Sequence, residues 1–270
     1  MRLARAYGWE VRKLVRQRRT WAGLAAAVIY AVAFVLALAL KSNAGIPPDI
    51  PLARQVTHTA VVLPLALLAF APFFGAPVVS ALVAGDIVAA EDANNTLKTI
   101  LTRSTGRGTI YAAKAFAAAT YGAALVAVLF VAAVVGATLA WGLHGVTLLD
   151  GRHASGPHAL GLVALAYATY LLPMAVLVSV AFFLSTVTRN SAAAIVGTVI
   201  VALAFQGIAA LPGLGGAKPY LLPQQFEAWE GLFGEGGESI ARAAWTCALY
   251  SAVPLLAGWL VFARRDVAGA

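Results

Sequence analysis

Residues 159–217 read ALGLVALAYATYLLPMAVLVSVAFFLSTVTRNSAAAIVGTVIVALAFQGIAALPGLGGA, and Arg189 is the one charged side chain in the stretch. A helix rises about 1.5 Å per residue, and about 20 apolar residues cross a hydrocarbon layer of roughly 30 Å. As one helix the stretch would be about twice the thickness of a whole bilayer, headgroups included. A hairpin turned at Thr188, Arg189 and Asn190 accommodates it as two spans, Ala159–Thr188 and Ser191–Ala217.

The same reading extends outward in both directions. Charge-free runs from Trp21 to Leu40, Ala60 to Gly85, Ala115 to Leu143 and Ala243 to Ala263 add four candidate spans, for six in all. Their excess over the bilayer's need implies tilt or polar ends outside the membrane. Of the 270 residues 61% are hydrophobic and 11% charged, against about 25% charged in soluble domains. A water-soluble globule is excluded, and no polar segment is long enough to hold an extramembrane domain with its own core. The expected fold is an all-α integral membrane domain with six transmembrane helices, an N-terminal interfacial helix and both termini cytoplasmic. It divides into an interfacial helix (1–20), spans one and two (21–85), a cytoplasmic segment (86–110), spans three to five (111–211), an outer cap (212–242), span six (243–263) and a tail (264–270). The lone Cys247 permits no intrachain disulfide.

Orientation follows from the basic residues on alternate sides of these spans, 14 against 5 in favour of the side that holds both termini. The net charge of +8 is therefore a topology signal. Its dispersal along membrane flanks argues against a nucleic-acid partner. The first apolar run is also longer than the 7–15 residues of a signal peptide's core, which argues against cleavage.

Three water-facing stretches carry further information. In residues 1–20, Leu3, Tyr7, Val11 and Leu14 share one helical face and Arg5, Arg12, Arg16 and Arg19 the other. Anionic lipid at about 1 kcal/mol per basic residue would hold such a helix against the bilayer; the plainer alternative is that these residues only set topology. After Asp86, Glu91 and Asp92, either Asp92 or Asn94 can cap a short helix whose Leu97, Ile100 and Leu101 form a small apolar face, ended by Ser104, Thr105 and Gly106. That face either folds back on the membrane domain or docks into another protein's groove. In the outer cap, Phe226, Trp229 and Phe233 oppose Glu227, Glu230 and Glu238, as in an interfacial belt.

Chemistry is sparse. The middles of the spans hold no Asp, Glu, Lys, Arg or His, which disfavours an ion-coupled carrier. Tyr167, Tyr170 and Gln206 are candidate pathway-lining residues among the polar groups left at depth, although such groups more often bond neighbouring helices. Pro64, Pro72, Pro77, Pro173 and Pro254 allow kinks. No metal site, catalytic triad or phosphate-binding loop is present in the sequence, so no catalytic residue is assigned.

The stretch Glu91–Lys114, EDANNTLKTILTRSTGRGTIYAAK, resembles the cytoplasmic loop of permease subunits of type-2 ATP-binding-cassette exporters. So do the opening YGWEVRKLVRQRRTW, the PYLLPQQF of the last outer loop and the closing FARRDV, in the same order along the chain. Asn94 and Asn95 stand where a Gly-bearing turn is commoner, and Ser104 and Thr105 where a Pro is frequent. The resemblance implies a non-enzymatic transmembrane subunit in a bacterial-type cell membrane, paired with a second permease copy or paralogue. ATP and Mg would reside on separate ATPase partners and no cofactor on this chain. It further implies that Glu91, Asn94, Thr96, Leu97, Lys98, Leu101 and Arg103 belong to a coupling helix that inserts into the ATPase, with Glu91 and Arg103 as polar anchors and Leu97 as the apolar plug. The expected cargo is a lipophilic drug, lipid or peptide. The alternative is a permease-like sensor or scaffold without transport of its own.

Overall fold

In the protein's computed structural model, the described residues are 3–41, 61–72, 75–94, 96, 106–147, 153–233 and 240–264. The charge-free runs fold as helices, the one hydrogen-bonding scheme that satisfies every backbone group of a segment inside lipid. Among the described residues five are long and apolar enough to cross a membrane: α2 (Arg18–Lys41), α6 (Arg107–Trp141), α7 (Gly156–Thr188), α8 (Ser191–Ala209) and α10 (Ile240–Ala263). A sixth span arises if α3 (Val62–Phe70) and α4 (Gly75–Ala84) are counted as one bent element. The break between them turns the chain by 69°. The expected single run from Ala60 to Gly85 is thus corrected to a broken one. Pro72 at the break cannot donate the backbone hydrogen bond that a continuous helix would need.

The hairpin at Arg189 is present. Arg189 ends α7 in the left-handed region at φ 54°, and the Asn190 side chain accepts from the Ala193 backbone N–H at 3.1 Å to open α8. At the other end of α7 a two-stranded antiparallel pair, Val146–Thr147 with His153–Ala154, interrupts the expected all-helical chain. α8 stops at Ala209, eight residues before the expected Ala217.

α7 is the hub, the most buried of the long helices, packed against α4, α6, α8 and α10. Two close approaches lock α6 to its neighbours. The Tyr121 hydroxyl lies 1.9 Å from where a Cβ on Gly23 of α2 would stand, and the Tyr111 hydroxyl 2.6 Å from that of Gly258 on α10. Any larger residue at either glycine would displace a tyrosine. Tyr111 also donates to the Leu255 carbonyl at 2.6 Å and packs on Phe182, Trp259 and Phe262.

The outer cap folds as a 3-10 turn (Gly215–Tyr220), the one-turn helix α9 (Leu222–Gln225) and a second 3-10 turn (Ala228–Phe233). Phe226, Trp229 and Phe233 are all buried, with Phe226 edge-on to Tyr170 at 5.0 Å. The expected lipid-facing belt is therefore a plug packed into protein. Glu238 lies outside the described residues.

Candidate functional site

Among the described residues the buried charge gathers at one end of the helix bundle. α1 (Leu3–Arg16) packs on α6, and the single residue Gln17 separates it from α2. Its inward face is Ala6, Glu10 and Leu14, whereas Leu3 is exposed. Of the expected apolar face, Leu14 is buried and Tyr7 and Val11 are partly buried against the same core, so only Leu3 is corrected, the buried centre lying about 55° round the helix toward Ala6 and Glu10 at 3.6 residues per turn. Glu10, the lone acid in this basic helix, turns inward.

The reason is Lys114. It sits two turns into α6, is fully buried, and places its Nζ 3.2 Å from Glu10 Oε2, 2.7 Å from Glu91 Oε2 and 3.2 Å from the Ile87 carbonyl oxygen. An ammonium has three donors, and each has an acceptor in reach. Lys13 completes the set, pairing with Glu91 and, at 3.0 Å, with Glu10. Burial alone would lower the Lys13 pKa, but Glu91 and Glu10 outweigh it and hold the ammonium above its usual range. Two carboxylates and two ammonium groups leave the node neutral, as burial of charge requires.

The segment from Gly85 to Asn94 is held from every side. Asp86 pairs with Arg19 and accepts from the Ser191 hydroxyl. Ser185 Oγ accepts the backbone N–H groups of Val88 and Ala89 at 3.2 and 3.0 Å. Asp92 pairs with Arg189 at 3.4 Å. α5 (Ala89–Ala93) therefore leaves the bundle in a fixed direction, and Asn94 closes it, its side-chain amide donating to the Ala90 carbonyl at 2.7 Å. Thr96 donates to the Glu91 carbonyl at 3.1 Å.

The residues singled out from the sequence separate accordingly. Glu91, read as an anchor for a partner, pairs within the chain with Lys13 and Lys114. Asp92 lies inside α5 and Asn94 ends it, and Thr96 is helical again. Leu97, Lys98, Leu101 and Arg103 lie outside the described residues. Arg5, Arg12 and Arg16 are exposed on α1 around Trp9, while Arg19 belongs to α2 and holds Asp86. Tyr167 donates to the Pro64 carbonyl at 3.0 Å, a packing role. Tyr170 and Gln206 line two different clefts, the second bounded by Pro72, Phe205 and Pro223. Glu10, Lys13, Lys114 and Ser185 were missed. The available signals were a single acid in a helix of arginines and a single lysine in an otherwise uncharged run.

The model of a family described as Protein of unknown function (DUF2705) matches residues 60–268. No curated protein matches the chain.

Proposed function

We propose that this chain, which belongs to the DUF2705 family, is the permease subunit of an ATP-binding-cassette exporter and forms the membrane path for a lipophilic substrate. In this reading the bent α3–α4 pair is the second of six spans and both termini are cytoplasmic, in a bacterial-type cell membrane. A separate ATPase docks on residues 94–103, and a second permease copy or paralogue completes the channel.

The observation that carries the reading is the ionic node. An ATPase can shift a two-state membrane protein only by its difference in affinity for the two states. Its push must therefore reach the spans through something stiff. Glu91 and its neighbours fasten the base of the 94–103 segment to α1, α6 and the α7–α8 hairpin at once. A load applied beyond Asn94 is delivered to three helices together. α1, with Arg5, Trp9, Arg12 and Arg16 exposed, would rest on anionic headgroups and serve as the fulcrum.

Copurification from membranes followed by mass spectrometry should recover an ATPase in fixed ratio to this chain. Leu97→Asp should abolish stimulated ATP hydrolysis in that complex while leaving membrane insertion intact. Stimulated hydrolysis at the unsubstituted level in Leu97→Asp would sink the assignment of the coupling segment. Cargo movement by the purified chain alone would sink the exporter reading altogether.

A further inference from the structure

The two sides of α1 meet different surroundings: the inner side joins the ionic node, and the outer side carries a stripe of cations. Arg5, Trp9, Arg12 and Arg16 follow one another at spacings of 4, 3 and 4, and all four are exposed. At 3.6 residues per turn they share a sector about 60° wide, centred about 130° round the helix from the buried line of Ala6, Glu10 and Leu14. Glu10 is the one acid of α1 and points inward, so no carboxylate on this helix offsets the stripe. Among the described residues none of the three guanidinium groups pairs with an acid elsewhere. Beside the stripe run Ala4, Gly8 and Val15, small or apolar and at least partly exposed.

The place of α1 in the chain indicates what covers this side. α2 begins one residue later, and its 24 residues reach about 36 Å, more than the roughly 30 Å of the hydrocarbon layer. Arg18 and Arg19 at its start therefore stand at the headgroups, with α1 next to them. Trp21, itself exposed, pins the corner by donating its indole N–H to the Val15 carbonyl at 2.8 Å. A row of arginines with a tryptophan among them and an apolar strip alongside matches a surface that is anionic above and apolar beneath, which is a leaflet of acidic phospholipid. An acidic soluble protein offers the charge without the apolar layer.

The inner grip of α1 is thin. Leu14 is its one large apolar side chain that is fully buried, Tyr7 and Val11 are half-buried, and Glu10 and Lys13 supply the rest through Glu91 and Lys114. Whatever holds the outer side therefore helps to set where Glu10 and Lys13 stand.

We propose that α1 reads membrane charge: acidic phospholipid headgroups held by Arg5, Arg12 and Arg16 seat the helix, and the seated helix, through Glu10 and Lys13, keeps Glu91 and the segment from Gly85 to Asn94 in place. This deepens the placement of α1 on headgroups given above and rests on no other part of the exporter reading. A lipid that favours the seated helix favours the assembled node by the same factor, and breaking the node weakens the lipid's hold in return.

Hydrogen exchange read by mass spectrometry tests this on the full-length chain, without any ATPase, in nanodiscs of phosphatidylcholine and of equal parts phosphatidylcholine and phosphatidylglycerol. The acidic lipid should slow exchange of residues 3–16 on the order of 100-fold, the product of about 5-fold for each arginine. Exchange of residues 85–94 should slow by at least about 5-fold, the lower end of ordinary coupling between two sites. Arg5→Gln, Arg12→Gln and Arg16→Gln together, all at exposed positions, should erase both effects, whereas Arg5→Lys, Arg12→Lys and Arg16→Lys together should keep them. Glu10→Gln leaves the stripe intact and should uncouple the two segments, so that residues 3–16 still respond and residues 85–94 do not. The proposal is overturned if the two bilayers give equal exchange, if the triple Gln variant responds like the unsubstituted chain, or if residues 3–16 respond in the unsubstituted chain while residues 85–94 do not. Protection gained in the neutral bilayer from added polyglutamate, and not from the acidic lipid, would overturn it in favour of an acidic protein partner. Full stimulated ATP hydrolysis in Leu97→Asp would leave it standing.

Discussion

Lys114 and Tyr170 are buried to nearly the same degree on adjacent helices, yet one has an acceptor for each donor and the other has none. The difference shows what each end of the molecule is built to resist. At the charged end an ammonium without carboxylates would cost several kcal/mol, so Glu10, 104 residues distant in sequence, has been brought beside Lys114 together with Glu91 to neutralise it. In the apolar interior the penalty of a lone hydroxyl is smaller, about 1–3 kcal/mol, and the fold carries it.

Four single substitutions and one double variant probe that contrast, each read as the change in unfolding stability in detergent. Lys114→Met should be the most damaging, at about 3–5 kcal/mol, because it strands Glu10 and Glu91 with only Lys13 between them. Adding Glu91→Gln should recover most of the loss. No change in the single variant would mean the node is solvated. Ser185→Ala should cost about 1–3 kcal/mol by orphaning the N–H groups of Val88 and Ala89. A melting point unchanged within error would show that this segment is not clamped. Tyr167→Phe should cost about 1 kcal/mol, the worth of its bond to Pro64. Tyr170→Phe should cost nothing and should gain up to about 1–3 kcal/mol, the penalty of the unpartnered hydroxyl that it removes. If the two tyrosine variants behaved alike, the contrast between a satisfied and an unpartnered hydroxyl would vanish.

Much of this architecture can be read from local composition. Long apolar runs mark spans whatever their neighbours, and Thr188–Asn190 supplies the one polar point at which a double-length run can turn. The depth of the bend between α3 and α4 is less legible, since Pro72 and Pro77 license a kink without setting its angle. The node was illegible for a different reason. A helical wheel ranks faces by hydrophobicity, and on that scale Glu10 belongs outside; only the arrival of Lys114 from far along the chain reverses the sign. The cap failed similarly, because Phe226, Trp229 and Phe233 suit lipid or protein equally until Tyr170 is there to receive them.

The two tyrosine-into-glycine contacts bracket Lys114 on α6 and fasten that helix to α2 on one side and α10 on the other. These three helices form one plank that can translate or tip but cannot shear internally without withdrawing an aromatic peg from its slot. Helix α8, with the smallest buried fraction of the long helices, has no such peg. Relative motion of the long helices should therefore be easier at α8 than within that plank, and an engineered disulfide from α8 to α7 should raise the melting point more than one from α2 to α6.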